Sequence, residues 1–281
     1  MTGARPALSA CAEAARKGDR DRYLCALFAP TDRREALFAL YAFNIELARA
    51  REVAREPLLG IMRLQWWRDA LDGVLAGRPP GHAVAEGLAR VRARLDRGAL
   101  LEMIEARQRD FDETPFASLA DLEGYVEATS VTLACQALAL LGVEDLAART
   151  AARHVGLALG LAGLLRAVPF HARARRLYLP ADLLATAGVE AEAIFAARAG
   201  AGLGRVAAEV ADAARAHLAA ARALGPRVPR AALPVLLPAR LVAADLARLA
   251  RAGFDPFAPR LAASGLGRRL GVVAGAIMGR Y

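Results

Sequence analysis

Hydrophobic positions along the chain recur every three or four residues, the period of an amphipathic α-helix, and nowhere alternate long enough to form a strand. After Pro30-Thr31, the residues Leu37, Leu40, Tyr41, Ile45 and Leu47 follow this spacing, and Asp32 and Glu35 stand where a helix dipole favours a negative charge. Pro57 opens a second helix, Leu58 to Leu75, which stops at Gly77 and the breaker pair Pro79-Pro80. Amphipathic stretches follow at Ala83 to Leu95 and Leu100 to Phe111. Ser118 caps a long helix that reaches Leu141 and ends at Gly142. The next helix runs from about Asp145 to Val168, where Pro169 is expected to break it; a loop from His171 to Leu179 leads to a short helix after Pro180. Helices at Ile194 to Arg198, Leu203 to Leu224, Pro238 to Ala252 and from Ser264 onward complete the pattern. The predicted class is all-α, and no Pro- or Gly-rich linker divides residues 1–281 into two cores.

Composition agrees with the periodicity. Alanine, leucine and arginine dominate, aromatics make up 6% of the chain, and a hydrophobic fraction of 56% supplies a large core. The net charge of +9 suggests an anionic partner, but Lys17 is the only lysine and the arginines are scattered through the helices, as a compositional bias would leave them. Basic clusters interleaved with exposed aromatics are missing, so nucleic acid is not expected as a partner. Cys11, Cys25 and Cys135 have neither disulfide-framework nor zinc-ligand spacing, and Met1 to Arg22 has no apolar core for a secretory signal; a cytoplasmic location is expected. The longest uncharged stretch, Ala128 to Val143, falls short of the ~20 residues of a membrane span and suits a buried core helix. The run Leu270 to Met278, flanked by Arg268, Arg269 and Arg280, either rests on a membrane surface or closes the core with Leu270, Val273 and Ile277.

Two stretches carry a resemblance. Leu40-Tyr41-Ala42-Phe43, then Arg63-Leu64-Gln65-Trp66-Trp67-Arg68-Asp69 with Gly77-Arg78-Pro79 and His82, resembles the first half of the squalene and phytoene synthase family. Leu165-Arg166-Ala167-Val168-Pro169-Phe170-His171-Ala172-Arg173, ending in Leu177-Tyr178-Leu179-Pro180, resembles that family's second signature block. The resemblance implies a single-domain isoprenoid-synthase (terpenoid synthase) helical bundle with a central cavity. It also implies head-to-head condensation of isoprenyl diphosphates, with Mg²⁺ held by two Asp-x-x-x-Asp motifs. Those four motif positions fall here on Ala48, Glu52, Ala167 and His171, so three carboxylates are replaced, and the cofactor Mg²⁺ is expected to be lost. Family positions that hold Gln and Asn fall on Gly160 and Gly163. The particular replacements, with Tyr125-Val126-Glu127-Ala128-Thr129, resemble the noncatalytic branch of the family that includes assembly factors for respiratory complex I. Partners implied by it are complex I subunits, reached from the cytoplasm with a peripheral contact to the inner membrane.

Candidate ligand-binding residues are Arg49, Arg166, His171, Arg173 and Tyr178, on or beside the former motif ends. Arg166 either meets an anion or closes a salt bridge within the bundle; His171 either binds a phosphate or is a structural hydrogen-bonding residue. Adjacent Trp66 and Trp67 face about 100° apart on a helix, so one belongs in the core and the other at its edge. His154 is expected to be a core histidine and Cys135 a buried, inert thiol. Three functions remain open: a noncatalytic assembly factor, an isoprenyl-diphosphate transferase with an altered site, and a metal-free binder of an anionic isoprenoid or lipid.

Overall fold

The computed structural model describes residues 8–53, 56–198, 200–258 and 266–281, and these are helical throughout their regular parts. Two short helices, α1 (Ala10–Gly18) and α2 (Arg20–Ala26), precede α3 (Thr31–Ala48); the brief α4 (Ala50–Val53) follows it. Next come α5 (Pro57–Leu75), α6 (Ala83–Arg90), α7 (Arg97–Ala106) and a 3₁₀ turn at Arg107–Phe111. Helices α8 (Leu119–Val126) and α9 (Thr132–Leu141) are joined without a break by one π-helical turn, Glu127–Val131. The longest helix, α10 (Leu146–Arg173), leads through α11 (Ala181–Ala187) and α12 (Ala191–Phe195) to α13 (Gly200–Ala223). Helices α14 (Leu233–Leu236), α15 (Pro238–Arg251) and α16 (Leu266–Met278) complete the chain; Ser264, the expected start of the last helix, lies outside the described residues.

Neither α1 nor α2 was expected from the hydrophobic pattern. Both are short and depend on capping side chains: the Ser9 hydroxyl accepts from the Ala12 amide at 3.0 Å, and Asp19 accepts from the Arg22 amide at 3.0 Å. Pro169 does not end α10, which runs four residues further to Arg173. Val168 and Ala172 are buried on either side of the proline, so packing holds the helix where the local bond to the preceding turn is lost. The turn after Arg173 closes with the Arg176 amide donating to the His171 carbonyl at 2.8 Å, and Arg175 takes a φ of 52°. His171 is therefore helical, and this turn returns the chain to lay Tyr178 against it.

The core sits where α10 packs on α13, α9, α15 and the π turn. The approach of α10 to the π turn is close because two glycines four residues apart face it. A Cβ on Gly156 would stand 2.9 Å from Val131 Cα, and one on Gly160 would stand 2.3 Å from Val126 Cγ1. Leu119–Leu141 and Leu146–Arg173 are long and apolar enough to cross a membrane by length and composition; half of each is packed inside this bundle. Trp67 is buried against Phe43, with ring centroids 5.1 Å apart, while Trp66 on the same helix is 40% exposed. Cys135 is half-buried, with its thiol pKa raised by desolvation. His154 has a partner from α13: its Nδ1 lies 3.0 Å from His217 Nδ1, and His217 Nε2 lies 3.2 Å from Glu123. A second, small core of Cys25, Leu237, Leu241 and Val272 fastens α16 to α2 and α15.

The two nearby glycines of α10 make opposite predictions. Gly160→Val should destabilise the fold by about 1–3 kcal/mol, since its Cβ alone would stand 2.3 Å from Val126 Cγ1. Nothing lies within 4 Å of a Cβ at Gly163, so Gly163→Ala should be neutral or stabilising by up to about 1 kcal/mol. Urea unfolding of the two variants beside the parent measures both.

Candidate functional site

A cavity of about 870 Å³ opens between the α1–α2 junction, α3, the π turn, α10 and the start of α16. Its apolar wall comes from Tyr23, Leu24, Leu27, Val126, Leu159 and Leu164, widened by Gly160 and Gly163. Its polar wall is strongly basic, with eight cations facing two carboxylates, Asp19 and Asp21. This size is ordinary for a small-molecule pocket.

Both carboxylates are already engaged. Asp19 accepts from Arg22 at 2.7 Å, and Arg22 also donates to the Ser130 hydroxyl at 3.1 Å. Asp21 accepts two bonds of 2.6 Å from Arg268 and one of 3.0 Å from Arg166. Arg268 turns its other edge to Asp245 on α15, at 2.7 and 2.8 Å. Two arginines and two aspartates from α2, α10, α15 and α16 thus form a closed ring at the cavity mouth. Burial alone would raise the Asp21 pKa, but hydrogen bonds from Arg268 and the charge of Arg166 hold it down at about 2. Arg166 closes the salt bridge expected as one of its two uses, and it is more than half exposed and lines the cavity while bonded in this ring.

At the inner end, the 3₁₀ turn after α7 presents Arg107. Its guanidinium donates to the Tyr125 hydroxyl at 2.8 Å, stands 3.4 Å from Asp110 Oδ2 and 3.5 Å from Asn44 Oδ1, and lines the cavity with Asn44 and Tyr125. Asp110 is buried and accepts from Tyr125 at 2.6 Å and from Tyr178 at 2.9 Å. Desolvation opposes the charge on Arg107, yet the facing tyrosine oxygens and Asp110 raise its pKa, so it stays a cation. Guanidinium carries five N–H donors and these contacts use three, which leaves donors for a bound oxygen.

The expected site residues separate into three groups. Arg166 lines the cavity. His171 and Tyr178 stand behind its wall: their rings are 4.4 Å apart, and Tyr178 joins them to Asp110 and so to Arg107. Ala48, Arg49, Glu52, Ala167 and Arg173 are not among the lining residues. Helix α3 ends at Ala48 and α4 restarts at Ala50, so Ala48 and Glu52 do not share one helix, and Glu46 pairs with Arg63 of α5 instead of a neighbour on its own helix. Ala167 and His171 do share one helix, α10. Asn44, Arg107, Asp110, Asp21, Arg22 and Arg268 were not anticipated. The i, i+3 spacings of Arg107 with Asp110 and of Asp19 with Arg22 are the local signals that could have flagged some of them.

The donor set does not suit a magnesium cluster. The alanines offer no ligand atom, His171 packs on Tyr178 beside Arg176, and the cavity's two carboxylates each serve an arginine. Among the described residues no three His, Cys, Asp or Glu side chains converge as a metal site would need.

Burial first, and then the charge of Arg176, lower the His171 pKa to about 4 against the opposing pull of Asp110. The unfolded chain therefore takes up this proton near pH 6.5, the folded chain only near 4, and stability falls as pH drops through that window. His171→Phe should flatten the loss of Tm between about pH 7 and 5. An equal loss in both proteins would contradict this placement of His171.

The profile of the squalene/phytoene synthase family matches residues 15–269. NADH dehydrogenase (ubiquinone) complex I, assembly factor 6 from Bos taurus is 34% identical over 253 residues, spanning 89% of this chain and 76% of that protein. Phytoene synthase 1, chloroplastic, from Arabidopsis thaliana is 28% identical over 197 residues, 67% of this chain and 46% of that protein. A dehydrosqualene synthase solved in complex with ligand superposes with a TM-score of 0.82 at 19% identity, covering 95% of this chain and 94% of that one. The helical bundle around a cavity, the two signature blocks on α3–α5 and α10, and a profile match over most of the chain agree: this chain belongs to the squalene/phytoene synthase family.

Proposed function

We propose that this chain is a noncatalytic member of its family that serves the assembly of respiratory complex I. The observation that carries the reading is the likeness to complex I assembly factor 6, closer and longer than the likeness to a phytoene synthase. The cavity supports it: three of the four positions that hold magnesium ligands in the synthases lack a carboxylate, and arginines occupy the carboxylates that remain in reach. Without clustered hard oxygen ligands, nothing bridges a divalent cation to a diphosphate leaving group. The chain's three cysteines are free, in keeping with work in a reducing cytoplasm, and complex I subunits are the partners the reading implies.

Deleting the gene in its native host should lower the amount of assembled complex I on native gels, together with NADH:quinone activity. Wild-type protein and a Glu52→Gln variant should both restore them. Normal assembly in the deletion strain overturns the reading. Independently, purified protein with Mg²⁺ or Mn²⁺ should release no diphosphate from farnesyl or geranylgeranyl diphosphate; turnover of about 1 s⁻¹ would establish an isoprenyl transferase instead.

A second reading concerns what the cavity holds. Arg107, kept charged at the inner end of a partly apolar pocket with donors to spare, favours a metal-free binder of an anionic amphiphile, whether isoprenoid or lipid. Dodecyl phosphate in EDTA should bind more tightly than dodecanol. The paired change Arg107→Met with Asp110→Asn, which leaves no buried charge alone, should weaken it about tenfold to a hundredfold. Equal affinity for the neutral alcohol would end this reading while leaving the assembly role intact.

A further inference from the structure

The last helix divides its two faces sharply. Arg268, Val272, Gly275 and Ala276 turn inward: Arg268 closes the ion ring with Asp21 and Asp245, Val272 is fully buried, and a Cβ on Gly275 would meet the Arg280 carbonyl at 2.6 Å. Beyond it, the Tyr281 hydroxyl donates to the Ala221 carbonyl at 3.0 Å, so the end of the chain is fastened too. Of the two placements open to Leu270, Val273 and Ile277, closing the core is not the one found. Leu270 is 57% exposed and Ile277 73%, with Val273 between them at helical spacing on the outward side.

The charge carried by this helix has one sign. From Leu266 to Tyr281 the chain has no acidic residue. Arg269 and Arg280 flank the strip, and Arg230 and Arg240 reach the carbonyls of Ile277 and Gly271 from the neighbouring segments. Arg269 also lines the cavity mouth, where exposed Arg20 stands. A narrow apolar strip flanked by Arg269 and Arg280, with Asp21 and Asp245 both engaged by Arg268 on the inward side, complements a surface with a hydrocarbon interior and negative headgroups, and a protein partner would more often meet a rim of mixed sign.

We propose that the outer face of α16 rests on an anionic lipid bilayer, with Leu270, Val273 and Ile277 entering the headgroup boundary and the cavity mouth opening toward the membrane. This stands apart from the assembly reading, since a chain with no part in complex I would bind vesicles equally well. The inward side of α16 stays packed, so docking needs no unfolding of the helix.

Flotation with vesicles of phosphatidylcholine alone, or mixed with phosphatidylglycerol, tests it on the full chain. Binding should require phosphatidylglycerol and be released by high salt. The triple change L270S/V273S/I277S should weaken it roughly tenfold or more, with the circular dichroism spectrum and Tm retained. Arg269→Gln with Arg280→Gln should weaken it roughly thirtyfold. In an otherwise unchanged chain, Ile277→Trp should add blue-shifted emission on phosphatidylglycerol vesicles, which reads the contact even where the triple variant fails to fold. Equal binding to neutral vesicles, full binding by the folded triple variant, or no blue shift from the tryptophan each overturns the proposal. Absence of binding by the wild-type chain overturns it as well and leaves the strip to a protein partner.

Discussion

Close approach of α10 to the π turn between α8 and α9 is the constraint on which the cavity depends. Gly156 lets the two backbones meet at a distance no side chain would permit, and Gly160 makes room for the Val126 side chain. One turn further, Gly163 meets nothing, and the same helix that is tight against Val126 and Val131 becomes the open wall of a pocket. The π turn adds one residue per turn locally, and Thr129 and Ser130 line the cavity from it, with the Thr129 hydroxyl bonded back to the Tyr125 carbonyl at 2.8 Å. Shape and polarity of the pocket therefore follow from where two helices are allowed to touch.

Around that space, charges are held in pairs at both ends. At the mouth, Arg166 and Arg268 share Asp21 and Asp245, tying together helices that are far apart in sequence. At the inner end, Arg107 is balanced by Asp110, and Asp110 in turn by two tyrosine hydroxyls. The two arrangements differ in exposure and so in energetic weight. Arg166 is solvated, and its pairing contributes little; Arg107 and Asp110 are out of water, where loss of one partner strands the other. The inner pair accordingly carries the greater weight, and it holds Arg107 at the cavity wall.

Family membership and chemistry point in different directions at this site. The bundle is the one on which dehydrosqualene synthase is built, yet arginine stands in contact with each carboxylate that reaches the pocket. A cationic pocket without clustered carboxylates attracts anions directly, without a metal between them. The assembly role and the metal-free cavity proposed above are compatible with one another, because neither needs a metal in this bundle.

Local signals determined a good deal. Helical period, capping Ser118 and Gly142, and the breaker pair Pro79-Pro80 fixed the class and most helices, and the two signature blocks fixed the family, because these depend on neighbours within a few residues. They also put the two adjacent tryptophans on different faces, and the structure shows Trp67 to be the buried one. Tertiary structure alone decided the rest. Pro169 is a local breaker overruled by burial of Val168 and Ala172, and α1 and α2 are too short to announce themselves without the partners they pack on. Arg107 came to the cavity, and His171 to the wall behind it, through contacts between residues tens of positions apart, as Asp21 met Arg268 across nearly the whole chain. Leu270, Val273 and Ile277 have the period of a buried face, and periodicity cannot say whether protein or solvent lies opposite. Only the packing of Val272 and Arg268 on the other side of that helix turned the strip outward.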